Sequence, residues 1–216
     1  MYELLGQVYA AQKADQKAEE CFRKAISIDK NRMSAYSHLG RLYASRKSFG
    51  KAIQEFENSL KSNPGSAESH VFLGMAYQAG KENKKAAGHY REALKIDPGL
   101  ALASNNLAWI LCEDGENLDE ALKLATAATE IVPQSAVFAD TLGWIYYKRG
   151  AYRTAQDILS DCVNKDSQNP DFNYHLGMVL MKTGDKPGSR EHLQRALKSP
   201  SLSSPDAAKK ALEQLK

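Results

Sequence analysis

Apolar and small residues recur along this chain with the period of an α-helix, and the same order of them returns about every 34 residues. Between Met33 and Ser66, Tyr36, Leu39, Gly40 and Tyr43 stand at i, i+3, i+4 and i+7, one face of a helix. Ala52, Phe56 and Ser59 mark one face of a second helix, and Pro64, which cannot continue a helix, closes it. The first landmark returns as Leu5-Gly6, Leu39-Gly40, Leu73-Gly74, Leu107-Ala108, Leu142-Gly143 and Leu176-Gly177, in steps of 34, 34, 34, 35 and 34 residues. The second returns as Ala18, Ala52, Ala86, Ala121, Ala155 and Ser189, and the third as Phe22, Phe56, Tyr90, Ala125, Leu159 and Leu193. A helical glycine costs ~1 kcal/mol relative to alanine. Five glycines at one repeat position therefore predict a close approach of the two helices that a side chain would block.

Two segments depart from the pattern. The fourth repeat has Ala108 for the glycine, Leu111 for the tyrosine and one extra residue in its turn, between Cys112 and Leu118. There Asn117, three residues before Glu120, predicts a capping-box start for the next helix. That acidic turn lacks the alternating ligands of a calcium loop. The sixth repeat carries Asn173, Leu180 and Ser189 at landmark positions. After it, Ser204 as cap, Pro205 at the first helical position, and Ala208, Ala211, Leu212 and Leu215 predict a short amphipathic helix that covers the last apolar face.

The order aromatic, Leu-Gly, Tyr, Ala-x3-Phe, Pro resembles the tetratricopeptide repeat. The resemblance spans nearly the whole chain. It implies an all-α, right-handed α-solenoid (superhelix) of six helix-turn-helix repeats plus a C-terminal capping helix. The repeats fall at about 1–32, 33–66, 67–100, 101–135, 136–169 and 170–200, with a linker and capping helix at 201–216. It implies a non-catalytic scaffold that binds a protein or peptide in its concave groove. Two alternatives stay open: a substrate-guiding or regulatory segment of a larger enzyme, and a self-association module. The runs Ser104–Trp109 and Asp140–Tyr147 are similar to the C-terminal repeats of large bacterial tetratricopeptide proteins, some of them lipoproteins of exopolysaccharide-linked protein export. Cytoplasmic and lipid-anchored periplasmic locations are both compatible with that. Met1 falls at the third position of a repeat, so the chain is expected to continue before it.

Charge narrows the partners. Residues 1–108 hold 16 Lys or Arg against 11 Asp or Glu, and residues 109–216 hold 13 against 15. Neither half has the clustered basic stripe of a nucleic-acid binder. No apolar run reaches the ~20 residues of a membrane span. Cys21, Cys112 and Cys162 are odd in number and far apart, which gives neither a disulfide framework nor a zinc pattern. Cys162 stands where other repeats have alanine and reads as a small buried hydrophobe. No phosphate loop, nucleophile elbow or metalloprotease motif occurs, so no enzyme activity, cofactor or metal is expected. Asp140 and His175, on neighbouring repeats, are placed to pair.

The helical step points positions 2, 5, 6, 9, 12 and 13 of each first helix away from its partner. In the first two repeats this face is polar, with Glu3, Gln7, Ser34, Ser37, His38 and Arg41. From the third onward it carries Phe72, Met75, Asn105, Asn106, Trp109, Asp140, Thr141, Trp144, Tyr147, Tyr174, His175 and Met178, with Met181 nearby. These twelve, from Phe72 to Met178, are the expected partner-binding groove, with Trp109, Trp144, Tyr147 and Tyr174 as anchors, because exposed aromatics dominate binding energy. The competing reading is that the tryptophans pack between successive first helices. Two specialisations known in similar proteins are absent. The positions of a carboxylate clamp carry Glu3, Gln7, His38, Glu68 and Phe72, or Asn105, Trp109, Thr141, Asp171 and His175. An asparagine ladder is matched by Asn106 alone.

Overall fold

The computed structural model describes every residue except Asn31, Glu116 and Lys216, and every other side chain except that of Met33. Among the described residues there are thirteen helices and no strand. They are α1 (Tyr2–Ala11), α2 (Asp15–Ile28), α3 (Met33–Ser45), α4 (Phe49–Ser62), α5 (Ala67–Ala79), α6 (Asn83–Ile96), α7 (Ala101–Asp114), α8 (Leu118–Ile131), α9 (Ala136–Lys148), α10 (Tyr152–Lys165), α11 (Pro170–Thr183), α12 (Lys186–Leu197) and α13 (Pro205–Gln214). Helices α4, α6 and α8 each stop two residues before Pro64, Pro98 and Pro133. The turn that carries the extra residue of the fourth repeat includes Glu116, which lies outside the described residues.

The chain forms two compact units, Met1–Ala103 and Ser104–Lys216. In the first, α1 packs on α2, α3 on α4 and α5 on α6, each pair rests on the next, and α3 also touches α1 and α5. In the second, α9 packs on α10 and α11 on α12, α9 touches α11, and α13 closes on α12. The glycines sit where the paired helices come closest. A Cβ on Gly6, Gly40 or Gly74 would lie 2.6, 2.5 or 2.5 Å from the ring of Phe22, Phe56 or Tyr90. On Gly143 or Gly177 it would lie 2.7 or 2.8 Å from Leu159 or Leu193. The fourth repeat shows the complementary solution, with Ala125 at the ring's position and Ala108 at the glycine's, both fully buried.

Local chemistry fixes the helix ends. Ser66, Asn117, Ser135, Asn169 and Asp185 each accept a bond from a backbone N–H of the helix that follows. Asn117 also donates from Nδ2 to Glu120 Oε2 at 2.8 Å, so the expected box closes side chain to side chain. Ser204 precedes α13 as expected, but its side chain makes no capping bond. Instead α13 is held by burial of Leu202, Ala208, Ala211 and Leu215, and by Arg190, which donates to the Leu215 carbonyl at 2.7 Å. The three thiols are buried and unpaired, and burial pushes those of Cys112 and Cys162 up to about 12.

The turn after each first helix passes through the left-handed region at one repeat position. In the second unit glycine occupies it, at Gly115, Gly150 and Gly184, with φ of 71°, 80° and 96°. In the first unit it is lysine, at Lys13, Lys47 and Lys81, with φ of 57°, 56° and 63°. An L-residue with a Cβ is penalised there by ~1–2 kcal/mol, part of which glycine gives back in chain entropy. Lys47→Gly is therefore expected to raise stability by ~0.5–1 kcal/mol, and Gly150→Lys to lower it by a similar amount. Urea midpoints of the two variants check this, and a loss of stability in Lys47→Gly would contradict it.

Candidate functional site

Successive first helices of the second unit aim equivalent positions in one direction, and these enclose a pocket of about 510 Å³. Helix α7 supplies Asn105, Asn106, Trp109 and Glu113, and α9 supplies Val137, Asp140, Thr141, Trp144 and Lys148. The start of α11 supplies Asn169, Asp171, Phe172, Tyr174 and His175, and Ser203 and Ser204 before α13 together with Ala207 in its first turn close one end.

A buried ion-pair geometry organises the pocket. His175 Nδ1 lies 2.9 Å from both Oδ1 and Oδ2 of Asp140, and the two side chains are 5% and 8% exposed. A carboxylate brings no proton to this contact, so Nδ1 carries it and donates. The His175 ring stacks on Trp144 at 4.3 Å between centroids, and Tyr147 stacks on Trp144 at 4.6 Å. Trp109 leans on His175 at 5.7 Å. Trp144 Nε1 donates to Glu113 Oε1 at 2.9 Å, which Lys148 Nζ also approaches at 3.1 Å. Asp171 accepts from Ser203, at Oδ1 from the backbone N–H (3.0 Å) and at Oδ2 from the hydroxyl (3.1 Å). Thr141 Oγ1 donates to the Val137 carbonyl at 3.3 Å. Burial pushes the Tyr174 phenol up to about 12 and raises that of Tyr147.

Of the residues singled out in the sequence, Asn105, Asn106, Trp109, Asp140, Thr141, Trp144, Tyr174 and His175 line this pocket. Trp144 and Tyr174 are buried in the free chain, whereas Trp109 is half-buried. Tyr147 stands behind Trp144, and Met178 is half-buried outside the pocket wall. Phe72 and Met75 belong to the first unit. There Phe72 stacks on Phe56 at 5.2 Å under Arg41, and Met75 is exposed beside a separate pocket near His38 and Arg41. Glu113 and Lys148 were not singled out, although both fall at position 13 of the same helical face. Ser203, Ser204 and Ala207 follow the last repeat and carry no periodic signal. Among the described residues no three His, Cys, Asp or Glu side chains gather as a metal site, and no helix is long and apolar enough to cross a membrane.

The remaining four histidines are shifted toward the neutral form. Burial lowers the pKa of His38, His70, His89 and His192, and the cation of His70 would add to the effect on His89. The two Nδ1 atoms of His70 and His89 are 3.1 Å apart, so one donates and the other must accept. Glu57 and Glu92 near this pair, Glu3 and Glu68 near His38, and Asp185 and Glu191 near His192 oppose the shift without reversing it; Arg41 near His38 and Arg195 near His192 reinforce it. A base whose folded pKa is depressed adds stability above its unfolded value of 6.5, which is lost as the pH falls toward the folded value. The melting temperature is expected to fall progressively from about pH 7 to pH 5, and less so in a His70→Gln, His89→Gln variant. Scanning calorimetry across that range measures it; parallel profiles would remove these histidines as the cause.

The helical pairs agree with what comparison with known proteins finds. Two family models, both described as Tetratricopeptide repeat, match the chain, one at residues 37–101 and 141–205 and the other at 1–32. No curated protein matches the sequence. Among solved structures, the APC/C hetero-tetramer Cut9-Hcn1 superposes with a TM-score of 0.83 at 17% identity, over 99% of this chain and 42% of that one, so the chain spans less than half the length of that relative. A tetratricopeptide repeat protein from Parabacteroides merdae superposes at 0.71 with 16% identity, over 99% and 82%. YrrB, described as a TPR protein with an unusual peptide-binding site, superposes at 0.67 with 19% identity, over 91% and 98%. At such identities the likeness concerns the fold, and the family models carry the assignment: this chain, an all-α helical-repeat protein, belongs to the tetratricopeptide repeat family.

Proposed function

We propose that the chain is a non-catalytic binding scaffold and that the groove over α7, α9 and α11 holds a polypeptide segment. The observation that carries this is the rigid aromatic wall of Trp109, Trp144 and Tyr174 around an open pocket on the first-helix face. Tryptophan and tyrosine anchors offer large contact area at small entropic cost. Binding is favoured over chemistry because the histidine–carboxylate pair in this pocket, Asp140 and His175, is nine-tenths buried and bonded to itself. YrrB's described peptide-binding site, on the same fold, is consistent with this use.

Selection of a random peptide library on the immobilised chain tests it. The parent is expected to enrich a family of sequences, and Trp109→Ala to weaken the selected peptides by ~30-fold, about 2 kcal/mol. Retained ellipticity and melting temperature in the variant assign the loss to contact. Peptides that bind the variant equally well, or no enrichment by the parent, would remove this groove as the binding site.

A further inference from the structure

The geometry points to a basic side chain, an arginine before a lysine, as the group this pocket takes from the bound polypeptide. The inference rests on the peptide-binding reading above and adds the chemistry of the occupant. Three carboxylates line the pocket, Glu113, Asp140 and Asp171, against the single lysine Lys148. Several of the donors that line it are already engaged: His175 Nδ1 on Asp140, Trp144 Nε1 and Lys148 on Glu113, Thr141 Oγ1 on a carbonyl, Ser203 on Asp171. Acceptor capacity is left over, since a carboxylate takes about four bonds and Asp171 holds two from Ser203.

A second, independent observation lies at Asn105. It is 4% exposed and lines the pocket, its Nδ2 donates to Asn106 Oδ1 at 3.3 Å, and its Oδ1 is buried with no partner. A buried acceptor without a donor is unfavourable, and such groups are rare in folded proteins. The Asn χ2 torsion is soft, so the amide can turn Oδ1 toward a donor that enters the pocket. Beside it stands the half-buried indole of Trp109, a flat π-face on which a planar guanidinium stacks well. Net negative charge, a waiting acceptor and an indole face together fit a cation with several N–H donors, and they disfavour a carboxylate or phosphate.

Both tryptophans of the chain line this pocket, so their indole N–H resonances report on it alone. The probes are N-acetyl-arginine amide, its uncharged isostere N-acetyl-citrulline amide, N-acetyl-lysine amide and N-acetyl-glutamate amide, each titrated to about 50 mM at constant ionic strength. The expected result is a saturable shift of the Trp109 indole with the arginine probe, weaker with lysine, at least about tenfold weaker with citrulline, and none with glutamate. Asn105→Leu is expected to weaken the arginine probe by about tenfold while raising the melting temperature, because it removes the unpartnered acceptor. Asn105→Asp is expected to tighten it.

Equal shifts from citrulline and arginine, or no shift with arginine, overturn the proposal. So does a stronger shift with glutamate, which would mark the unpartnered amide atom as a donor. If the library selection yields peptides without Arg or Lys, peptide binding stands and the basic occupant falls. If the arginine probe shifts Trp109 but no peptide is enriched, the subsite stands and the peptide reading falls.

Discussion

Gly40→Ala is expected to destabilise the chain, although alanine is the better helix former, and the same substitution is expected to stabilise a chain that already carries Phe56→Ala. The new Cβ would sit 2.5 Å from two ring carbons of Phe56. That ring is 1% exposed and stacks on Phe72 at 5.2 Å, so it can shift only by disturbing packed neighbours. Overpacking of this kind costs ~1–3 kcal/mol, against the ~1 kcal/mol that alanine gains in helix propensity. Phe56→Ala alone loses ~3–5 kcal/mol to burial and cavity terms. In that background the added methyl meets no ring, so Gly40→Ala contributes its propensity and fills part of the void. The double variant reproduces the Ala108 and Ala125 combination of the fourth repeat. Urea unfolding of the four proteins gives the coupling, and additive effects would show that the glycine is not there for the ring.

Much of the fold was legible in these glycines. A residue that weakens a helix, repeated at one position, predicts a close approach; the ring or leucine opposite is found at the third landmark each time. Helix pairing was legible because the periodicity returns in every repeat and prolines stop the second helix in three of them. The left-handed turn position was read in neither unit: glycine marks it in the second, but lysine stands there in the first and breaks the pattern. The helical face that lines the pocket was legible from the helical step alone. The balance between packing and exposure was not, since it depends on distances between neighbouring helices. Trp109 and Trp144 share one repeat position, yet Trp144 is sandwiched between Tyr147 and His175 while Trp109 has His175 on one side. Ser203 and Ser204, which help close the pocket, lie outside the repeat, where no repeat landmark speaks for them.

Removing either half of the Asp140–His175 pair is expected to be among the most damaging single changes in the second unit. Both side chains are more than nine-tenths buried, and Nδ1 meets both carboxylate oxygens at 2.9 Å. Taking one partner out of such a pair leaves the other desolvated without compensation, at ~3–5 kcal/mol. For a chain of this size that corresponds to a fall in melting temperature on the order of 10 °C. His175→Ala also removes the ring on which Trp144 stacks at 4.3 Å and against which Trp109 leans, so indole fluorescence is expected to change with it. The partner's removal, rather than lost volume, is the stated cause, and a third variant separates the two. Asp140→Leu with His175→Phe keeps an aromatic ring beside Trp144 and leaves no buried charge. It is expected to recover most of the stability lost by either single alanine variant, because exchanging a whole buried pair for apolar groups is close to neutral. Calorimetry on the three variants decides it. Single variants that melt within a degree or two of the parent would show that the pair does not hold this unit together. A Leu–Phe variant as unstable as Asp140→Ala would show that shape, not charge compensation, sets the requirement at these positions.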